Sequence, residues 1–536
     1  MSGLTGTGTL LRLAARRDRV LIPVSALALT ALSVGSAQAT VALYTDPETA
    51  MAELGPVLNA PSTMAMYGPA TTTNLEGLSV FKTLLMGAVF VGLLAFAVVR
   101  RHTRVEEEDG RLELLGAGVV GRQAPLAAAV ALAVLATLVT AGLSVLGFVA
   151  IGFPARGSLA FGAAWTIAGL TMTGITAVAA QLTSSARGAA GWAVGALALL
   201  YLVRAIGDSA TTDGGRVLRW FSPFGWASQV FPFGKDRLWL VLPALALAAV
   251  LVGVAFALLE RRDLGAGLFA SRPGRARAPR GLLSPAGLAW RLSRGGFVGW
   301  LIGFGLLGLV FGGLVSQVDS MLGDENIQKM LAQMAGVPVD ELLSSMAAVY
   351  AATMVRFMTV AAAAAGVIVV LRLASEERSG RTEAVLATAA GRTRWYAAFT
   401  SLALVVTAVL ILALSALMGV RGHAALAAAP TVGDLLQGAA EAIPAAWVCV
   451  GVAALLTGLS SRLAPWSWAV LGVAFVLGEF GPTMNLPSWL VDSSPFAHVR
   501  AYPFGTWDTA NVVVLTTIAL ALVVAGALAH RRRDLG

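Results

Sequence analysis

The chain has 536 residues, of which 57% are hydrophobic and only 12% charged, and 59 glycines enlarge the apolar share further. Soluble domains carry about a quarter charged residues, so this composition, with a mean hydropathy of +0.78, excludes a soluble globular enzyme, a disordered chain and a coiled coil, and leaves a polytopic membrane protein. The net charge of +9 does not point to nucleic acid, because the basic residues lie in short segments between apolar runs, where membrane orientation accounts for them.

A spanning helix needs about 20 mainly apolar residues. Twelve runs qualify in chain order: 20–43, 78–99, 124–151, 160–181, 188–206, 238–259, 297–318, 352–371, 397–420, 439–458, 464–480 and 509–529. Lipid offers backbone groups no hydrogen-bonding partner, so uninterrupted runs of this length predict an all-α membrane protein. The first run follows Arg16 and Arg17 and contains Ser36-Ala37-Gln38-Ala39, which resembles a signal-peptidase site. Its uncharged stretch continues to Tyr44, longer than a usual signal core, so it is read as the first span. With the amino terminus inside, most of the 38 basic residues fall on the inner side and most acidic residues on the outer, which predicts two cytoplasmic termini. Arginine dominates, with Lys82, Lys235 and Lys329 the only lysines; with the abundant alanine this suggests a GC-rich bacterial source and hence the bacterial cytoplasmic membrane. The single cysteine, Cys449, permits no intrachain disulfide. His102, His423, His498 and His530 are too scattered for a metal cluster.

The chain also repeats itself. The segment after the second run reads EEEDGRLELLGAGVVGR, and the one after the eighth reads EERSGRTEAVLATAAGR. Glu106, Glu107, Gly110, Arg111, Glu113, Gly121 and Arg122 recur, at constant spacing, as Glu376, Glu377, Gly380, Arg381, Glu383, Gly391 and Arg392. Apolar helices resemble one another by chance; polar and glycine matches do not. SPFGWASQVFPFG from Ser222 recurs as SPFAHVRAYPFG from Ser494, Arg261 to Gly265 recurs as Arg532 to Gly536, and Leu11-Arg12-Leu13 pairs with Trp290-Arg291-Leu292. The reading is two parallel six-helix halves, 1–283 and 284–536, each opened by a short amphipathic basic segment at the inner interface. The arginine- and proline-rich stretch from Arg272 to Arg280 is the tether between them.

Glu107-x-x-Gly110-x-x-Glu113-x-Leu115 and Glu377-x-x-Gly380-x-x-Glu383-x-x-Leu386 resemble the first intracellular loop of ABC-2-type transporter permeases, which follows the second helix. Length, two fused halves and long first outer loops resemble the polyketide-antibiotic exporter permeases of actinobacteria, with tetronasin exporters as the named type. The resemblance implies that the loop is a helical coupling element docking on a separate nucleotide-binding ATPase subunit, two copies of which would serve the two halves. Glu106, Glu107, Arg111, Glu113 and Arg122, with Glu376, Glu377, Arg381, Glu383 and Arg392, would supply its charge-assisted bonds. Gly110 and Gly380 would turn the chain into the docking segment. Val119 and Ala389 stand where the family often has proline.

No ATP motor is encoded in this chain. A G-x-x-x-x-G-K-[ST] loop is required, and around Lys235 the key positions hold Gln229 and Asp236, while Lys82 and Lys329 lack the preceding glycine. ATP and Mg therefore belong to the partner subunit, and this chain is expected to bind no cofactor. For a hydrophobic cargo such as an antibiotic, polyketide or drug, the candidate path residues are Lys82, Arg356, Glu441 and Glu479, charges within or near spans, together with Thr173. Thr166, Thr171, Thr173, Thr176 and Gln181 form a polar vein in the fourth span that also suits plain helix packing, and interface anchoring suits the charges. Met64, Met66, Met321, Met330 and Met334 in the outer loops could meet apolar ligands or pack an outer helix. Two other classes remain open: a proton-coupled 12-helix antiporter, although the G-x-x-x-D-R-x-G-R-[RK] motif expected after its second helix is absent, and a membrane scaffold that couples to an ATPase without moving cargo.

Overall fold

The computed structural model describes residues 3–44, 46–58, 61–70, 74–116, 118–210, 212–269, 277–315, 339–427, 429–480, 487–499 and 507–533. Met321, Met330, Met334 and most of the arginine-rich tether lie outside them. No strand forms among the described residues, and eleven helices there are long and apolar enough to cross a membrane. The chain divides into two compact units, Met1–Gly274 and Arg275–Gly536.

In the first unit α1 (Thr7–Arg17) precedes α2 (Leu21–Leu43). Ala14 of α1 is buried, and Leu11 and Ala15 pack on the same core while its arginines stay outside, as an amphipathic segment at an interface requires. The remaining spans are α3 (Leu75–Arg100), α5 (Ala124–Ala150), α6 (Ala155–Leu182), α7 (Ala186–Ser209) and α9 (Val241–Glu260); short helices α4 (Arg111–Gly116) and α8 (Pro223–Gln229) lie between them. The core centres on α3 and α6. Trp165 Nε1 donates to the Leu84 carbonyl at 3.0 Å, and its ring crosses so close to Gly87 that a Cβ there would lie 2.2 Å away. The threonines of α6 are self-satisfied: Thr166, Thr171, Thr173 and Thr176 each donate to the carbonyl four residues back, and Gln181 donates to Ala177. Their hydroxyls are consumed within the helix, which leaves small side chains for close packing.

The second unit contains α10 (Pro285–Leu314), α11 (Val339–Arg378), α12 (Arg381–Leu386), α13 (Arg392–Ala425), α14 (Val432–Leu459), α15 (Ser467–Phe475) and α16 (Thr509–Arg532). Its core joins α11, α13 and α14. The tightest crossing is α14 against α16, where a Cβ on Gly458 would meet the Gly526 carbonyl at 2.2 Å. Without a hydrophobic drive between helices in lipid, such backbone approach is what small residues supply.

One expected span differs. The run 464–480 forms a 3-10 turn (Ala464–Trp466), then α15, then a π turn (Val476–Phe480), and its apolar helical stretch Ala464–Gly478 is shorter than the other spans. Pro465 removes a backbone donor at its start. Near its end the Ser494 hydroxyl donates to the Ala474 carbonyl at 2.6 Å, so a side chain competes for a backbone acceptor just where the helix widens.

Candidate functional site

Each repeated segment begins where a long apolar helix ends. In the first unit α3 widens into a π turn over Arg101–Val105, and Glu106–Glu108 follow in one more helical turn. The chain then reverses at Gly110, whose φ is +72°; Gly380 makes the same reversal at +71°. A Cβ would meet nothing at either position, so glycine is required there by backbone conformation and not by space. The six-residue helices α4 and α12 come next.

The glutamates ahead of the turn face inward. Glu106, Glu107 and Glu376 are buried, while Glu113 and Glu383 are exposed. Glu106 pairs with Arg111 at 3.1 Å and with Arg17 at the end of α1 at 2.5 Å. Glu376 pairs with Arg381 at 2.6 Å and with Arg372 at 2.8 Å. Glu107 takes a bidentate pair from Arg262, at 2.6 and 2.9 Å, along with Arg104 at 3.0 Å and the Gly265 amide at 2.7 Å. In the second unit Glu377 pairs with Arg533. Planar guanidinium donors match carboxylates in this way, and the geometry fixes orientation as well as charge.

Arg122 and Arg392 complete the pattern. Arg122 donates to the carbonyls of Leu259, at 3.0 Å, and Arg262, and Arg392 donates to the carbonyl of Arg533 at 3.0 Å. Arg262 also reaches Gln181 Oε1 at 2.8 Å, one residue before the end of α6; Arg533 reaches the Thr457 carbonyl at 3.2 Å, two residues before the end of α14. Residues matched in sequence thus build matched networks in space. The first ties the turn after α3 to the ends of α6 and α9 and the start of α5; the second ties the turn after α11 to the ends of α14 and α16 and the start of α13. The first network lines a small cavity of about 70 Å³ that includes Glu107, Gln181, Arg122 and Arg262.

Sequence reading placed the glutamates, the glycines and Arg111, Arg122, Arg381 and Arg392 in this segment but missed Arg17, Arg104, Arg262 and Arg533. Arg262 and Arg533 were visible as members of the repeated Arg-Arg-Asp-Leu-Gly; a basic stop at a membrane face explains arginines but not the repetition of all five residues. Asp18, between α1 and α2, was also missed: it is buried and pairs with Arg101 and with His102, both at 2.7 Å.

Of the expected cargo-path residues, Lys82 and Thr173 lie in the first unit and Arg356 and Glu441 in the second. Lys82 is exposed on α3, and Thr173 is committed to Gly169. Arg356 donates to the Gly478 carbonyl at 2.7 Å, joining α11 to the end of the shortened span. Glu441 is buried within α14, which continues as a helix through Pro444, and the side chain of Glu479 lies outside the described structure.

Elsewhere in the first unit, Arg204 of α7 is fully buried and holds the segment of Met64 and Met66. Its guanidinium lies 3.4 Å from Asp208 and 4.2 Å above the Tyr201 ring, and it donates to the Met64 and Met66 carbonyls at 3.2 and 3.4 Å. Arg219 approaches Asp208 at 3.6 Å. Beside this anchor, Tyr67, Phe81, Leu84, Phe231 and Pro232 line a small cavity of about 30 Å³. Burial pushes the Tyr67 phenol above its ordinary pKa, so it stays protonated.

The family model for the C-terminal domain of the multidrug efflux system permease Rv1217c matches residues 282–531. Across 99% of its length the chain is 37% identical to the multidrug efflux system permease protein Rv1217c of Mycobacterium tuberculosis (strain ATCC 25618 / H37Rv), of which it covers 96%.

Proposed function

The chain belongs to the family of the mycobacterial multidrug efflux system permease, and from that premise we propose that it is the transmembrane permease subunit of an ATP-driven exporter of the ABC-2 type. It is a multi-pass membrane protein, consistent with the eleven membrane-length helices among its described residues. In the proposed assembly it lies in the bacterial cytoplasmic membrane with both termini inside and expels hydrophobic drugs or antibiotics, polyketides of the tetronasin kind among them. ATP and Mg are handled by separate nucleotide-binding subunits, one docked on each repeated cytoplasmic segment.

The observation that carries this reading is the pair of matched networks. A loop that only obeyed the positive-inside rule would leave its charges in water, whereas here buried Glu107 and half-buried Glu377 tie the segment, through Arg262 and Arg533, to other helices of its own half, and exposed Glu113 and Glu383 remain on the short helices for a partner. That arrangement suits a lever, with one face for docking and one for transmission. Uptake of a fluorescent drug into inverted membrane vesicles tests it: transport should require ATP and persist when the proton gradient is collapsed. Transport that runs on an imposed proton gradient without ATP would replace this reading with the antiporter, and no transport of any cargo under either condition would favour the scaffold.

A further inference from the structure

We propose that Arg262 and Arg533 are the positioning residues that carry movement of the two coupling segments to the ends of their spans, acting as one repeated joint; this rests on the coupling role proposed above. Both residues lie outside the segment that resembles a coupling loop, some 150 residues further along the chain. Each closes on the second glutamate of its own half, Glu107 or Glu377. Each receives on its carbonyl a guanidinium from a residue at the start of a neighbouring helix, Arg122 two residues before α5 or Arg392 at the first position of α13. Each reaches the inner end of the half's fourth span, through Gln181 or Thr457. Three contacts repeated in kind around one residue define a joint, because displacing the glutamate must move the arginine, and the arginine is held to two other helices.

The two copies differ in strength. Arg104 adds a second guanidinium to Glu107 at 3.0 Å, and Arg17 of α1 holds the neighbouring Glu106. In the second half Ala374 stands at the position of Arg104. The Glu377–Arg533 pair is also the more exposed, with side chains 14% and 17% accessible against 4% and 7% for Glu107 and Arg262. The second joint is therefore the place to exchange charges, since an arginine at 377 meets no counterpart of Arg104.

The test uses the full chain purified with whatever ATPase subunit accompanies it, reconstituted in liposomes, and reads drug transport and ATP hydrolysis together. Coupling between sites commonly spans about 5- to 150-fold, so Arg262→Gln and Arg533→Gln should each lower transport by about ten-fold or more at equal membrane level. Hydrolysis should continue, so that ATP consumed per drug moved rises. Glu377→Arg should be equally uncoupled, and the exchange Glu377→Arg with Arg533→Glu should recover most of the transport. Parental transport in both glutamine variants would overturn the proposal. So would a proportional fall of transport and hydrolysis that the exchange does not repair, since that marks a merely structural pair. If Arg262→Gln does not accumulate in the membrane, the less buried second joint is read by the same criteria. A parental chain purified without any ATPase would fail at the earlier step and sink the coupling role itself.

Discussion

Replacing Arg204 by methionine measures how firmly the segment of Met64 and Met66 in the first unit is held. Methionine keeps much of the volume but removes the charge, both carbonyl contacts and the stacking on Tyr201, and leaves buried Asp208 with Arg219 at 3.6 Å and the Ser228 hydroxyl. Breaking a buried pair by removing one partner costs about 3 to 5 kcal/mol. The lower figure applies, because the lost contacts are long, at 3.2 to 3.4 Å, and Arg219 remains nearby. At 1.4 kcal/mol per factor of ten, a loss of about 3 kcal/mol raises the open population of the segment roughly a hundred-fold. Thr63 is only 6% exposed, so a Thr63→Cys reporter on intact cells reacts with a membrane-impermeant maleimide in proportion to opening. The native Cys449 is buried and should not compete. Labelling should accelerate about a hundred-fold in Arg204→Met and fall back substantially when Asp208→Asn removes the stranded carboxylate. Equal labelling rates in parent and Arg204→Met would refute the anchor.

Three further outcomes follow from the same geometry. Reversing Glu113 and Glu383 together to arginine should leave membrane insertion unchanged, because exposed substitutions usually stay within about 0.5 kcal/mol; drug accumulation assays on the double variant should nevertheless show efflux lost, and normal efflux would remove these residues from the docking face. Gly380→Ala should lower thermal stability by about 1 to 2 kcal/mol through backbone strain alone, with Gly380→Asn milder, as read by loss of the purified chain from solution on heating. Gly458→Val should separate α14 from α16, because even the first added carbon meets the Gly526 carbonyl at 2.2 Å; overpacking of this kind costs about 1 to 3 kcal/mol, and cross-linking between cysteines placed on the two helices should decline.

Much of the fold was legible because lipid imposes a long apolar run on each span, and the start of α5 and the end of α6 fall within a residue or two of the expected limits. The turn at Gly110 and Gly380 was legible for a different reason: left-handed backbone demands glycine, and the requirement is written twice. The length of span eleven was not legible, since its shortening involves Ser494, twenty residues away, which competes for the Ala474 carbonyl. Nor were the partners of Glu107 and Glu377, because Arg262 and Arg533 look the same in sequence whether they face headgroups or buried carboxylates. The threonines of α6 read two ways in sequence, as a polar path or as plain helix packing, and their donation to carbonyls four residues back suits the packing.

The most direct test of the account is affinity purification of the tagged chain from its native membranes in mild detergent, with assay of ATP hydrolysis in the recovered material. The account predicts that a nucleotide-binding subunit accompanies the chain, one copy for each coupling segment, and that reversing Glu113 and Glu383 releases it. A chain recovered reproducibly alone, still transporting drugs when reconstituted with only a proton gradient, would contradict it.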